Sequence, residues 1–371
     1  MITSGKKGIF DEYRGILRAI FALATLAAFV ALIITGLCIA SVDTTPTLET
    51  QPRQSNDLAL YARIIEHVHN GESYYTAAIG ELRNSNYPVR PFVAVRYPAH
   101  ALAMAALPNE SARQLALYIL VVVTFAAWAW RLSRQRMSPT RYALTLVALA
   151  SGAAPALTPD AYPLHDVWAG LLIALSLALR SPDRWFASVL VGLSAALIRE
   201  LAAPYLLVMA FLAILERNRR EAYGWLTAIA IFVALLAVHA IRVNELVTAT
   251  DPVSPGWLKM GGWQFVLQTT KMNLLLLATP NWLAAILVPF SLLGFSIARE
   301  PLDRRIALIV TGYICAFVFL GRTSNFYWGF IVAPLLPMGL VAAWPALAQY
   351  MSNIRQFLKT IYQRTLRTRD A

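Results

Sequence analysis

Apolar residues run through this chain in long blocks, and polar residues gather in the gaps between them. A bilayer core takes about 20 apolar residues per straight helix, fewer where neighbouring protein shelters the ends. On that measure the blocks predict about ten membrane helices, near 16–41, 113–131, 141–157, 166–180, 185–199, 201–215, 222–242, 275–298, 305–321 and 327–347. The stretch 185–215 can also be read as one long tilted helix. That reading would put Arg199 and Glu200 at the bilayer centre, at roughly 2.5–3.5 kcal/mol each. Pro204 favours a break, so two short helices that share the Arg199-Glu200 turn are expected.

The gap 42–112 has a different pattern. Residues 57–70 set Leu58, Tyr61, Ile64, Ile65 and Val68 on one stripe, with Arg63, Glu66, His67 and His69 mostly off it. This predicts a helix lying in the membrane interface, apolar side down. Ser55 or Asn56 can cap its start, and Asn70-Gly71 supplies a stop. A second short helix is expected over 98–107, with Pro98 in its first turn and Pro108 closing it. Between them "GESYYTAAIGELRNSNYPVRPFVAV" reads as a loop rich in Tyr and Asn. A second polar segment, 243–274, carries Trp257, Trp263 and Gln264 among glycines and prolines, and its tryptophans suit a membrane–water interface.

Composition narrows the class. With 371 residues, 58% hydrophobic, 14% charged and a mean hydropathy of +0.55, the chain reads as one all-α polytopic integral membrane domain. The net charge of +12 does not indicate nucleic acid, because the basic residues sit at span ends rather than in one stripe. They cluster at Lys6, Lys7, Arg14 and Arg18, at Arg131–Arg141, at Arg180 and Arg184, at Arg217–Arg220, at Arg299–Arg305 and in the tail 349–371. The positive-inside rule then puts both termini in the cytoplasm and 42–112 outside. The basic tail can also rest on anionic lipid. Cys38 and Cys315 both lie inside apolar runs, so buried free thiols are expected rather than a disulfide.

All five histidines fall at or near the outer face under this topology, which directs the search for chemistry there. Asp57 would sit at the water–lipid boundary, where a lipid-linked substrate presents its head group. A carboxylate there can act as general base toward a hydroxyl. The alternative is a helix cap or first-turn carboxylate favoured by the helix dipole. His67 and His69 are two residues apart and point to different helix faces, so a zinc site from them is not expected. The sequence has no phosphate-binding glycine loop, zinc-ligand spacing or nucleophile elbow.

The segments "NDLALYARIIEHVHNGESYY" and "RYPAHAL", with "LHDVWAGLLIALSLALR" and "LSAALIRELAAPYLL" behind them, carry a family likeness. The arrangement resembles the GT-C membrane glycosyltransferases, and within them the bacterial polyprenyl-phosphate-sugar-dependent mannosyl- and arabinosyltransferase-like proteins. The resemblance implies that the first outer loop carries the catalytic carboxylate, which Asp57 matches. It implies a polyprenyl-phosphate-linked sugar donor, a glycan or glycolipid acceptor, and a site on the outer side of a bacterial cytoplasmic membrane. Many members show paired acidic residues where this chain has Asn56-Asp57, so a divalent cation is an open question and no metal ligands are assigned.

The mechanism so implied needs cationic partners for a departing phosphate. Arg199 is the first candidate, since an arginine near the membrane is costly unless used; the alternative is that it merely pairs with Glu200. Arg322, in "GRTSNFYW", is either a second phosphate partner or a snorkelling anchor. Lys271 and Arg96 are further candidates, and Tyr61 joins the substrate-binding set. His165-Asp166 opens a short span, either as an oriented imidazole that holds phosphate or sugar hydroxyls or as a cap. His100, in the first turn after Pro98, is a candidate phosphate or substrate contact, and His239 is expected to pack near a span end.

Two rival classes remain at this level. An integral-membrane acyltransferase built around a histidine would usually reach its donor from inside. A non-enzymatic lipid flippase or transporter should bury ionisable residues at mid-membrane and often shows an internal repeat, which this sequence does not.

Overall fold

The computed structural model describes the backbone of residues 3–41 and 50–369, and the side chains of 15–41 and 57–363. The side chains of Lys6, Lys7, Arg14, Ser55, Asn56, Arg364, Arg367 and Arg369 fall outside that range. Two isolated bridges aside, the described residues form only helices and turns.

Helix α1 spans Thr3–Ser41 and α2 spans Thr50–His69. The first outer segment then adds α3, Tyr74–Asn84, and α4, Ala99–Ala105. Helix α5, Glu110–Ser133, starts at Asn109, whose side chain accepts from the Ala112 N–H. Helix α6, Pro139–Ala153, starts at Ser138, which accepts from Arg141 N. Both starts use the short oxygen-bearing side chains that satisfy orphan N–H groups.

Then come α7, His165–Leu179, α8, Phe186–Ile198, α9, Ala203–Leu215, and α10, Arg219–Leu246. After a loop follow α11, Gly262–Thr270, α12, Leu274–Leu277, α13, Asn281–Phe295, and α14, Pro301–Phe319. Residues 323–339 wind as two short 3-10 segments before α15, Leu340–Arg369.

Among the described residues three helices, Gly15–Ser41, Glu110–Ser133 and Arg219–Leu246, are long and apolar enough to cross a membrane, and a fourth span arises if the pair bent by 66° around 331–336 counts as one. Shorter apolar helices fill the middle of the chain. Phe21 (60% exposed), Val122 (66%) and Ile241 (60%) belong to apolar helix faces left uncovered by protein. Such faces suit lipid rather than water, and the chain reads as a membrane protein.

Several expectations need correction. The predicted helix 57–70 begins at Thr50, so Asp57 lies in the second turn and is not a cap. Much of its stripe is covered by protein rather than lipid: Ile64 and Ile65 are buried in a cluster with α3 and α4 residues, Tyr61 and Val68 pack against it, and Leu60, outside the stripe, is buried there too. The predicted loop after Gly71 contains α3, started by a Ser73 cap on Thr76 N and built on buried Ala77, Ala78, Ile79 and Leu82. The predicted span 327–347 is not one helix, because Pro334 and Pro337 cannot supply the N–H groups a helix needs. The predicted span 275–298 breaks at Thr279-Pro280 between α12 and α13. Cys38 and Cys315 are both exposed, so their burial was misjudged. The predicted break at Arg199 falls between α8 and α9.

At the end of the bundle where α7 finishes, three arginine-carboxylate contacts meet, of which Arg180–Glu221 is sealed inside and the two to Glu216 reach the surface. Arg180 donates to Glu221 at 2.9 and 2.6 Å and to Glu216 at 2.9 Å, and Arg305 donates to Glu216 at 2.8 and 2.6 Å. Arg180, Glu221 and Arg305 are all buried. Removing one partner of such a network strands the others, which fixes how α7, the α9–α10 turn and α14 meet.

Candidate active site

At the opposite end of the bundle, α2, the loop before α4, the start of α7 and the 323–331 segment converge on a small crevice. Asp57 and Tyr61 lie four residues apart on α2 and so share a helix face. Both line the crevice with Arg96, His165, Asp166 and Tyr327. The enclosed void is about 20 Å³, room for about one water, so a sugar would enter only with movement of α2 or the Tyr327 segment.

Each wall is held by identifiable contacts. Asp57 Oδ1 accepts a hydrogen bond from Tyr87 Oη. Arg96 Nε donates to Tyr61 Oη at 3.1 Å, and Tyr74 Oη donates to the Arg96 carbonyl at 2.5 Å. Burial raises the Tyr61 phenol to about 12, against the opposing pull of Arg96. Tyr61 therefore stays protonated at neutral pH while its oxygen accepts from Arg96. Gln114 of α5 holds the loop before α7, donating to the Ala156 and Thr158 carbonyls and accepting from Tyr162 N.

His165 begins α7 with no side-chain cap, and its ring packs 4.7 Å from Tyr61 and 4.3 Å from His100 between centroids. The neighbouring carboxylate does not orient it. Asp166 instead accepts from Arg199 Nε at 2.8 Å, with both side chains almost sealed. Glu200 lies 3.5 Å from Arg199 and accepts from Tyr97 N at 2.9 Å. The expected Arg199–Glu200 self-pair is thus secondary to Asp166, 33 residues earlier in the chain. His100 is fully buried, and neither ring nitrogen has a hydrogen-bond partner; the Tyr162 backbone lies near but out of bonding geometry. Burial pushes the His100 imidazole down to about 4.

The structure therefore brings together Asp57, Tyr61, Arg96, His165 and Asp166 around the crevice, with His100, Arg199 and Glu200 behind them. Two expected residues lie elsewhere. Lys271 Nζ donates to Asn281 Oδ1 at 2.7 Å and to the Thr279 carbonyl at 3.3 Å, pinning the α12–α13 break. Arg322 starts the 3-10 segment that carries Tyr327 but does not line the crevice. The ranking of the cations also changes. Arg199 is committed to Asp166, whereas the one side-chain hydrogen bond described for Arg96 is to a neutral phenol. Tyr87 and Tyr327 were not anticipated; each sits in an aperiodic stretch, "SNYPVR" and "SNFYWGF", whose only sequence signal is a tyrosine beside a turn.

The remaining histidines have structural partners. His67 meets Glu72 and Glu81 at 2.8 and 3.4 Å, and His69 Nδ1 lies 2.8 Å from the Ala105 carbonyl. His239 packs among Tyr75, Phe92 and Tyr97, as expected for a packing residue. Arg83 donates to both Asp251 oxygens at 2.8 and 2.7 Å, tying α3 to the loop after α10 and holding the Asp251 carboxyl well below the usual range.

Among the described residues no three His, Cys, Asp or Glu side chains gather at a metal-binding spacing. The two crevice carboxylates, Asp57 and Asp166, are engaged by Tyr87 and Arg199. That donor set does not fit a divalent cation, and no chemical step is drawn through one. Compared with protein-family models, curated proteins and solved structures, the chain matches none.

Proposed function

We propose that the chain is a membrane glycosyltransferase that moves a sugar from a polyprenyl-phosphate donor to a hydroxyl on a glycan or glycolipid. In this reading it resides in a bacterial cytoplasmic membrane with about ten spans, counting short sheltered helices, and with both termini cytoplasmic. The crevice then faces outward. One observation carries the reading: two carboxylates, two phenols, an imidazole and a guanidinium from four separated segments meet at one point.

The roles follow from the chemistry of each group. Asp57 accepts the proton of the acceptor hydroxyl as that oxygen attacks the anomeric carbon. The bond from the anomeric carbon to the phosphate oxygen breaks, and the configuration inverts. The polyprenyl phosphate takes up negative charge as it leaves, and Arg96 is the nearest cation suited to stabilise it. Tyr61, protonated, is a hydrogen-bond donor to the sugar or the phosphate. His165, next to His100, is a neutral partner for sugar hydroxyls. Arg199 acts through Asp166, fixing the start of α7 and with it His165.

The test is sugar transfer from a panel of polyprenyl-phosphate donors by the wild type and Asp57→Asn in matched, folded preparations. A loss of about 10²- to 10⁴-fold with donor binding intact is expected for a missing general base. Full activity in Asp57→Asn would overturn the assignment. Reporter fusions that place 42–112 in the cytoplasm would favour the acyltransferase class instead.

A further inference from the structure

A void larger than the crevice lies elsewhere in the molecule. It is a cleft of about 360 Å³ at the opposite end of the bundle, where the end of α5, the start of α6, the α13–α14 turn and α15 meet. Helix α5, about 36 Å long at 1.5 Å per residue, runs from Gln114, which holds the loop behind the crevice, to Trp128 and Leu132 in the cleft. The walls are apolar: Trp128 and Leu132 from α5, Phe295 from the end of α13, Ile306 from α14, Met338 from the 3-10 segment before α15 and Val341 from the start of α15.

The rim carries both signs of charge. Arg141 and Arg299 are its cations, Glu300 and Asp303 its anions. They are only loosely paired: Arg141 reaches Asp303 at 3.4 Å with the two side chains 51% and 34% exposed, and Arg299 donates to Gln349 at 3.3 Å. A further acceptor comes from the backbone. Pro345 lies inside α15 and has no N–H, so the Val341 carbonyl four residues earlier loses its helical donor, and Val341 lines the cleft.

We propose that this cleft binds one zwitterionic phospholipid of the ethanolamine type. The phosphate meets Arg141 and Arg299, and the ammonium donates to Glu300, Asp303 and the Val341 carbonyl. A lipid with net negative charge brings the same phosphate to the arginines but no ammonium to offset the two carboxylates, which disfavour it. A choline head group has no N–H to give to those acceptors. The volume corresponds to on the order of ten waters, enough for a head group and glycerol but not for acyl chains. The chains have a surface to follow: Leu144 and Val147 on α6 and Trp344 on α15 are 51%, 65% and 73% exposed beside the cleft. The inference rests on the membrane reading but not on the glycosyltransferase reading, and its test does not measure sugar transfer.

The test is native mass spectrometry of the delipidated full chain, incubated separately with dioleoyl phosphatidylethanolamine, phosphatidylglycerol and phosphatidylcholine. One phosphatidylethanolamine should survive collisional activation that strips the other two. Arg141→Ala with Arg299→Ala should weaken its retention at least tenfold. Glu300→Gln with Asp303→Asn should turn the preference toward phosphatidylglycerol. Val341→Trp, which fills the void from its wall, should abolish the adduct in protein that elutes like the wild type. Equal retention of all three lipids, or a preference untouched by the carboxylate pair, would overturn the proposal. So would an adduct that persists in Val341→Trp.

Discussion

Arg199 Nε and Asp166 Oδ1 lie 2.8 Å apart, with the two side chains 5% and 6% exposed. One residue sits at the break between α8 and α9, the other in the first turn of α7. The pair therefore joins two helix ends directly behind the crevice. Arg199→Ala leaves a buried carboxylate without its counter-charge, and the expected loss of stability is about 3–5 kcal/mol. Adding Asp166→Asn should return much of it, because the stranded charge goes too. Unfolding of the two variants in detergent measures this, and a double variant no more stable than the single one would show that the pair is not the cause.

Tyr87 Oη donates to Asp57 Oδ1. In the glycosyltransferase reading this bond holds the carboxylate in line with the acceptor hydroxyl, so Tyr87→Phe, which lets the carboxylate swing away, should lower kcat by about 10- to 100-fold. KM should move little, since the phenol does not line the crevice. A change in KM alone would mean that Tyr87 packs the loop rather than holding the carboxylate.

His100 gives a pH signature. Its imidazole is pushed down to about 4 by burial, below the ordinary value of about 6.5. As pH falls, the unfolded chain takes up the proton first. The contribution to stability is therefore full above about 6.5, declines below it and is lost by about 4, for a total on the order of 3 kcal/mol. His100→Leu should flatten that part of the stability profile when thermal unfolding is compared at neutral and acid pH. Equal slopes in the two proteins would show that the ring is solvated.

Gly170 lies on α7 where the backbone of the Tyr327 segment crosses it. A Cβ there would stand 2.2 Å from the Phe330 carbonyl oxygen, which is backbone and cannot swing aside. Gly170→Ala should cost about 1–3 kcal/mol or more and shift Tyr327 in the crevice. Gly312 on α14 has open space where a Cβ would go. Gly312→Ala should be neutral or stabilising by up to about 1 kcal/mol. Thermal unfolding of the two variants side by side separates close packing from helix propensity.

Much of the framework was legible in the chain. The apolar runs announced helices because a backbone in lipid must bond to itself, and the break at Arg199 followed from the cost of two charges and a proline in one span. The spacing of Asp57 and Tyr61 put them on one helix face before any contact was known. His100, His165, Asp166 and Arg96 were each suspect as polar groups at the ends of apolar runs.

Their grouping was not legible. Sequence adjacency paired Arg199 with Glu200 and His165 with Asp166, whereas the folded chain pairs Arg199 with Asp166 and packs His165 between Tyr61 and His100. Local spacing reports only which groups share a helix face; which of several carboxylates meets a buried guanidinium depends on how helix ends dock. The same limit hid the 3-10 path of 323–339. Its apolar content matches a span; Pro334 and Pro337 break the helix, and close packing on α7 and α11 at Gly170 and Gly329 sets where the segment lies. The sequence by itself determined an all-helical chain of membrane character and where its polar residues stand along it. The tertiary structure decided which of them meet, because a buried charge takes the partner that docking brings within reach, not the one beside it in the chain.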